Sequence, residues 1–243
     1  MLAPMSEAPK SQAPSPEAPP RTLAHFAGFR LGNRLWTYPP EERAEIARRW
    51  TEEVKGSAPR VELYQVYPSR GDLDLLVWSA LPVDSDGAPA DFFQRFARAV
   101  GHRRRTFAPD LTLWGLTRPS PYARRGSDRA IDAVEGERSR YLIVYPFVKT
   151  VDWYLLDADE RQAMMNEHIK VGRQFGGVRQ LLLYSFGLQD QEFVVVYETA
   201  DLLEFSDLVH KLRETEARRY TQRDTPILTA VHHPDDTILD LLR

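Results

Sequence analysis

The chain repeats itself at a spacing of 118 residues, and this duplication constrains its fold more than any other feature. Pro39-Pro40-Glu41-Glu42-Arg43 opens one helical stretch and Asp157-Ala158-Asp159-Glu160-Arg161 opens another, an offset of 157 − 39 = 118. Asp72-Leu73-Asp74-Leu75-Leu76-Val77-Trp78 lines up with Asp190-Gln191-Glu192-Phe193-Val194-Val195-Val196 at the same offset. Two independent matches at one spacing mark a duplicated unit. Each copy reads strand, helix, strand, strand, helix, strand. In the first, strands are predicted near 25–38, 60–66, 74–81 and 106–116, with helices at 41–54 and 90–101. In the second, strands are predicted at 140–148, 178–186, 192–198 and 225–232, with helices at 159–173 and 202–217. The helix beginning at 159 has an acidic first turn, and Gly176-Gly177 breaks the chain before the next strand.

This order is the ferredoxin-like βαββαβ unit written twice. The expected fold class is therefore α+β: two ferredoxin-like repeats whose antiparallel sheets form a dimeric α+β barrel within one chain. Residues 22–118 make the first unit and 138–243 the second. The stretch 119–137, rich in Arg, Ser, Gly and Pro, connects them. Residues 1–21 hold six of the 18 prolines among Ala, Ser and Glu, too little apolar surface to offset chain entropy, and are expected to form a disordered tail.

Composition narrows the chemistry. There are no cysteines, which removes disulfides, thiolate catalysis, Fe–S clusters and Cys-type zinc sites. A metal must be held by the six histidines, by carboxylates or by carbonyls. A formal charge of −3 argues against a nucleic-acid footprint. No apolar run reaches the ~20 residues of a membrane helix, and the N-terminus lacks the apolar core of a signal peptide. A cytoplasmic protein with no membrane partner is expected.

The second unit carries the candidate site. Strand alternation puts Tyr141, Ile143, Tyr145, Phe147 and Lys149 on one side, and Gln180, Leu182, Tyr184 and Phe186 on one side of the next strand. Met164, His168 and Val171 fall at i, i+4 and i+7, so His168 lies on an apolar helix stripe aimed at the sheet. An aromatic and aliphatic wall facing one histidine could hold a flat apolar cofactor. Taken singly, each residue has an ordinary structural reading, and on pattern alone that reading prevails. His168 would be a hydrogen-bonded core histidine, Gln180 a rim polar residue, Tyr145 a strand-end aromatic and Lys149 a solvated charge.

Longer runs add a resemblance. Tyr145-Pro146-Phe147-Val148-Lys149, Trp153-Tyr154-Leu155-Leu156, Asp159-Glu160-Arg161 and Glu167-His168-Ile169-Lys170-Val171-Gly172-Arg173 resemble the chlorite dismutase-like haem family. Within it they are most similar to the coproheme decarboxylases. The likeness continues through Tyr184-Ser185-Phe186-Gly187-Leu188-Gln189-Asp190-Gln191-Glu192-Phe193 and Leu212-Arg213-Glu214-Thr215-Glu216-Ala217. It is specific over residues 138–230 and architectural over the first half.

The resemblance implies His168 as the proximal iron ligand, Gln180 at the distal position and Tyr145 as a redox-active tyrosine. It implies that Tyr145, Pro146, Phe147, Val148 and Lys149 line the porphyrin edge, with Lys149 pairing a carboxylate or managing protons. Arg213 is implied as a propionate partner, and Glu216 as acceptor of the proximal imidazole's second N–H. Arg218 stands where relatives often have Ser, replacing one propionate hydrogen bond by a charge-assisted one or losing it. The implied substrate, also the redox cofactor, is iron coproporphyrin III. Hydrogen peroxide would decarboxylate two propionates by way of a tyrosyl radical and give protohaem (haem b). A homopentamer is implied as well. Chlorite dismutation, haem peroxidase activity and non-catalytic haem binding are the competing readings. Gln180 in place of a distal Arg weighs against the first, because an amide cannot hold a departing anion as a guanidinium does.

Overall fold

The computed structural model describes residues 21–122, 129–234 and 237–242. The expected tail up to Pro20 and the middle of the connector lie outside the described residues; Arg21 already opens the first strand. The first unit comprises β1 (Arg21–Leu31), α1 (Pro40–Lys55), β2 (Arg60–Gln65), β3 (Leu75–Val83), α2 (Ala88–Gly101) and β4 (Phe107–Thr117). The second comprises β5 (Tyr141–Lys149), α3 (Val151–Leu155), α4 (Ala158–Gly172), β6 (Val178–Tyr184), β7 (Phe193–Thr199), α5 (Leu202–Arg213), β8 (Thr221–Arg223) and β9 (Leu228–His233). α1 and α4, β2 and β6, and β3 and β7 each begin 118 residues apart (158 − 40, 178 − 60, 193 − 75).

Each unit has the same strand order, β4-β1-β3-β2 in the first and β6-β7-β5-β9 in the second. The units join edge to edge through β4–β6 and β2–β9, and the β5–β7 pairing closes an antiparallel barrel. Closure leaves those eight strands without free edges. β8 adds to the end of β5. Alternation sends one set of side chains inward: Phe26, Tyr64, Trp78, Leu142, Val144, Leu183, Val194 and Val196 fill the barrel, joined by Ile131 and Ala133 from the connector. One end of this interior is polar, with Glu198 buried against Arg138 and Arg179, and His232 2.9 Å from Glu62.

The other set faces outward under the helices, and the two units treat it differently. α1 and α2 close over the first sheet with Ala47, Trp50, Val54, Phe92, Phe96 and Val100, all buried. Trp50 stacks on Phe107 at 4.3 Å and meets Phe29 edge-on at 5.1 Å. α4 is equally well formed, its start fixed by a capping box between Asp157 and Glu160, yet it buries none of its residues.

Four of the boundaries that differ from the sequence expectation have a local cause. The strand predicted at 25–38 ends at Leu31, because Gly32 turns the chain so close to Arg105 that a Cβ would lie 2.2 Å from its carbonyl oxygen. The strand predicted to 186 ends at Tyr184, where the Ser185 hydroxyl donates to the Trp114 carbonyl at 2.6 Å. The helix predicted to 217 stops at Arg213. Thr215 is extended and its hydroxyl donates to the Leu212 carbonyl, before a 3-10 turn at Glu216–Tyr220. The last strand begins at Leu228 rather than 225; Pro226 has no N–H to give a ladder.

Candidate active site

The outward face of β5, β7 and β6 forms the floor of the site, and its register can be followed row by row. Ile143, Tyr197 and Gln180 lie side by side, then Tyr145, Val195 and Leu182, then Phe147, Phe193 and Tyr184. Ile143 and Tyr197 are buried beneath α5 with Leu208, as is Val178 one row earlier. Cover then fades. Tyr145, Val195, Phe147 and Phe193 are half-buried and Leu182 is 39% exposed, as is Phe186 beyond the strand at 42%. A continuous apolar floor left open is unusual, since each such side chain forgoes part of the roughly 1.5–3 kcal/mol that full burial of an exposed apolar side chain gives.

α4 forms the other wall. Met164, His168 and Val171 are all half-buried, so the stripe faces the floor without closing on it. No hydrogen bond ties the His168 ring among the described residues. Burial, then the nearby Lys149 ammonium, lower its pKa to about 4, with Glu167 opposing. The ring is therefore neutral, with a lone pair free.

The rim is charged. Lys149 lies over the Trp153 ring at 4.1 Å and donates from Nζ to the Ala217 carbonyl at 3.2 Å. Its main-chain N–H donates to Glu192 Oε2 at 2.8 Å, and Tyr154 Oη donates to the same oxygen at 2.6 Å. Burial, then Arg218, lower the Lys149 pKa to about 8. Arg213 from the end of α5 and Arg218 from the 3-10 turn both reach Asp224 Oδ2, each at 2.8 Å. Tyr145 stacks on Tyr197 with centroids 6.3 Å apart. Burial, then the Tyr197 phenol, push its pKa well above the usual tyrosine range. It keeps its proton at any ordinary pH.

The fold thus brings His168, Tyr145, Phe147, Lys149, Gln180, Arg213 and Arg218 around one opening. Gln180 sits exposed on the floor, its strand held by main-chain bonds to Arg129 and Ile131. Three residues depart from expectation. Pro146 alternates away from the floor and is buried, as the period of two requires, and Val148 falls on that side too. Glu216 does not meet the His168 imidazole: its carboxylate pairs with Arg219 at 3.0 Å on the exposed side of the turn, because the helix ends four residues earlier than expected. Sequence reasoning missed Tyr197, which alternation from Phe193 and Val195 would have found. It also missed Asp224 and Glu192, for which no local pattern gives a signal.

A flat apolar floor, an unpaired neutral imidazole opposite and cationic groups at the edge fit a metalloporphyrin with carboxylate substituents. A lone imidazole would supply one ligand to an iron whose other donors the macrocycle brings. A family model described as chlorite dismutase matches residues 40–233. A coproheme decarboxylase from Mycolicibacterium smegmatis is 34% identical over 178 residues, 73% of this chain and 74% of that protein. A coproheme decarboxylase from Staphylococcus saprophyticus subsp. saprophyticus is 38% identical over 88 residues, 33% of this chain and 35% of that protein. The structure of a chlorite dismutase from Candidatus Nitrospira defluvii in complex with imidazole matches with a TM-score of 0.79, covering 91% of this chain and 94% of that one. At 24% identity it speaks for the fold alone.

Proposed function

The chain belongs to the chlorite dismutase family, and from that premise we propose that it is a coproheme decarboxylase, converting iron coproporphyrin III to protohaem with hydrogen peroxide. The observation that carries this reading is the open half of the β5–β7–β6 floor facing the unpaired ring of His168. For each of two propionates, –CH2CH2COO⁻ + H2O2 + H⁺ gives –CH=CH2 + CO2 + 2 H2O. The propionate loses two electrons and the peroxide gains them. The substrate, when bound, supplies the iron redox chemistry; the protein supplies binding, orientation and electrostatics.

His168 offers its lone pair to the iron, and Leu182, Val195 and Phe193 receive the macrocycle. Gln180, on the floor side, hydrogen-bonds a small ligand there. Tyr145 retains a hydrogen atom that it gives up on oxidation. The phenoxyl radical would then take one from the propionate β-carbon; loss of a second electron, to the remaining oxidising equivalent of the peroxide, with cleavage of the bond to the carboxylate would release carbon dioxide and leave the vinyl group. Lys149, with a pKa of about 8, pairs with a carboxylate or moves a proton at its Nζ. Arg213 and Arg218 give carboxylates planar donors. Tyr145 beside that cationic rim, and an uncharged Gln180 on the floor, favour propionate chemistry over chlorite dismutation. A homopentamer in the cytoplasm belongs to the same proposal, and sedimentation of the purified protein tests its oligomeric part.

The test is to mix the protein with iron coproporphyrin III and peroxide and follow porphyrin masses by chromatography. Stepwise loss of two carboxyl groups is expected. Unchanged coproporphyrin alongside peroxidase turnover, or oxygen release from chlorite, would overturn the assignment.

A further inference from the structure

Arg213 and Arg218 come from different elements, yet both end on one oxygen of Asp224. Asp224 follows β8, and its place beside β5 is fixed by pairing on either side. Arg223 lies opposite Val148, and Leu228 lies opposite Val144. The carboxylate therefore sits along the strand that carries Tyr145 and Phe147, and its charge and that of Arg213 both reach the Tyr145 phenol. Asp224 is mostly buried, at 17% side-chain exposure, whereas each arginine is about twice as exposed, with donors to spare.

Resting on the decarboxylase reading, we propose that Asp224 is a positioning and specificity residue: an internal carboxylate that aligns both guanidiniums beside Tyr145 and stands in there for the substrate carboxylate. Two guanidiniums against one carboxylate leave a single excess positive charge. A propionate is attracted, but it must share donors with Asp224. When that propionate leaves as carbon dioxide, Asp224 again neutralises the arginines, so the vinyl product is no longer held at this corner. The aspartate thereby limits how much more tightly the tetracarboxylate substrate binds than the dicarboxylate product, which lacks the reacting carboxylates.

The experiment measures equilibrium binding of iron coproporphyrin III and of protohaem by absorbance titration, in wild type, Asp224→Asn and Asp224→Glu. Removing the competing charge is expected to tighten iron coproporphyrin about five- to tenfold in Asp224→Asn, steeply reduced by salt, with protohaem changed less than twofold. Turnover should show a lower KM together with a lower kcat, because the arginines lose their alignment. Asp224→Glu, which keeps the charge, should hold the ratio of the two affinities near wild type. Circular dichroism reports whether each variant folds; should Asp224→Asn not fold, Asp224→Ser removes the same charge and carries the same expectation. Equal shifts for both porphyrins, or none, in folded Asp224→Asn would overturn the inference while wild-type turnover leaves the decarboxylase reading standing. Failure of the wild type itself to bind iron coproporphyrin would remove both.

Discussion

Trp50 and His168 stand at the same point of the two repeats, 168 − 50 = 118 residues apart, on the helix that follows the first strand of each unit. Trp50 is 1% exposed, and its indole fills the space between α1 and its sheet. His168, at the matching place on α4, is only half-buried, on a helix that fully buries none of its residues. One copy of the unit has become a closed core and the other a slot.

Substitution at these two positions should separate stability from binding. Trp50→Ala removes a large core side chain and should cost about 3–5 kcal/mol in urea unfolding. His168→Ala should leave unfolding within about 1 kcal/mol of wild type, because α4 fully buries none of its residues. It should abolish the histidine-ligated porphyrin spectrum and weaken affinity. An unchanged spectrum in His168→Ala would remove it as the iron ligand.

Tyr145→Phe keeps the ring and loses only the O–H. It should fold, bind iron coproporphyrin about as well as wild type, and form no first vinyl group on addition of peroxide. Tyr141→Phe, on the same face of β5 but two rows away, is the control and should retain substantial turnover. Protohaem formation by Tyr145→Phe at the wild-type rate would exclude a radical at this tyrosine.

Gln180 lies exposed on the floor, where its amide can only hydrogen-bond what binds beside it, at about 1 kcal/mol per bond. Gln180→Ala should slow turnover by roughly fivefold at most. Complete loss of activity with intact porphyrin binding would assign it a larger part than this geometry allows.

Lys149 gives the pH dependence. Its pKa of about 8 means that the ammonium is present below that value and lost above it, so affinity for iron coproporphyrin should fall as pH rises through about 8. Lys149→Met should bind more weakly at pH 7 and show no such limb. The same depression acts on folding. Between about pH 8 and the ordinary lysine value the unfolded chain binds more protons, so stability rises with pH across that interval and its cost is full below it. Urea midpoints of wild type and Lys149→Met at pH 7 and pH 9.5 measure this, and equal differences at both would contradict it.

The frame of the molecule was legible because it rests on local periodicity. The runs around Leu75 and Phe193 carry strand alternation at the same offset, and Asp157 with Glu160 announces the start of α4 in three residues. His168, Tyr145 and Gln180 were legible as members of faces. What escaped depends on contacts distant in sequence or on side chains redirecting the backbone. The apolar spacing through Leu212 and Ala217 suggests a continuing helix, but the Thr215 hydroxyl satisfies the Leu212 carbonyl and turns the chain, carrying Glu216 away from His168. Asp224 is an ordinary loop aspartate until Arg213 and Arg218 arrive beside it.

The open floor beside Leu182 and Phe193 has a consequence for how long the protein lasts in a cell. A ligand that covers the floor binds only the folded chain, and at a hundred times its dissociation constant it adds about 2.7 kcal/mol of stability. On the proposed function that ligand is consumed at every turnover, so the best-protected form of the protein is the one caught with substrate in place. Without porphyrin the same chain would lack that increment, so on the proposed function its resistance to proteolysis should rise when iron coproporphyrin is added and fall when it is withheld.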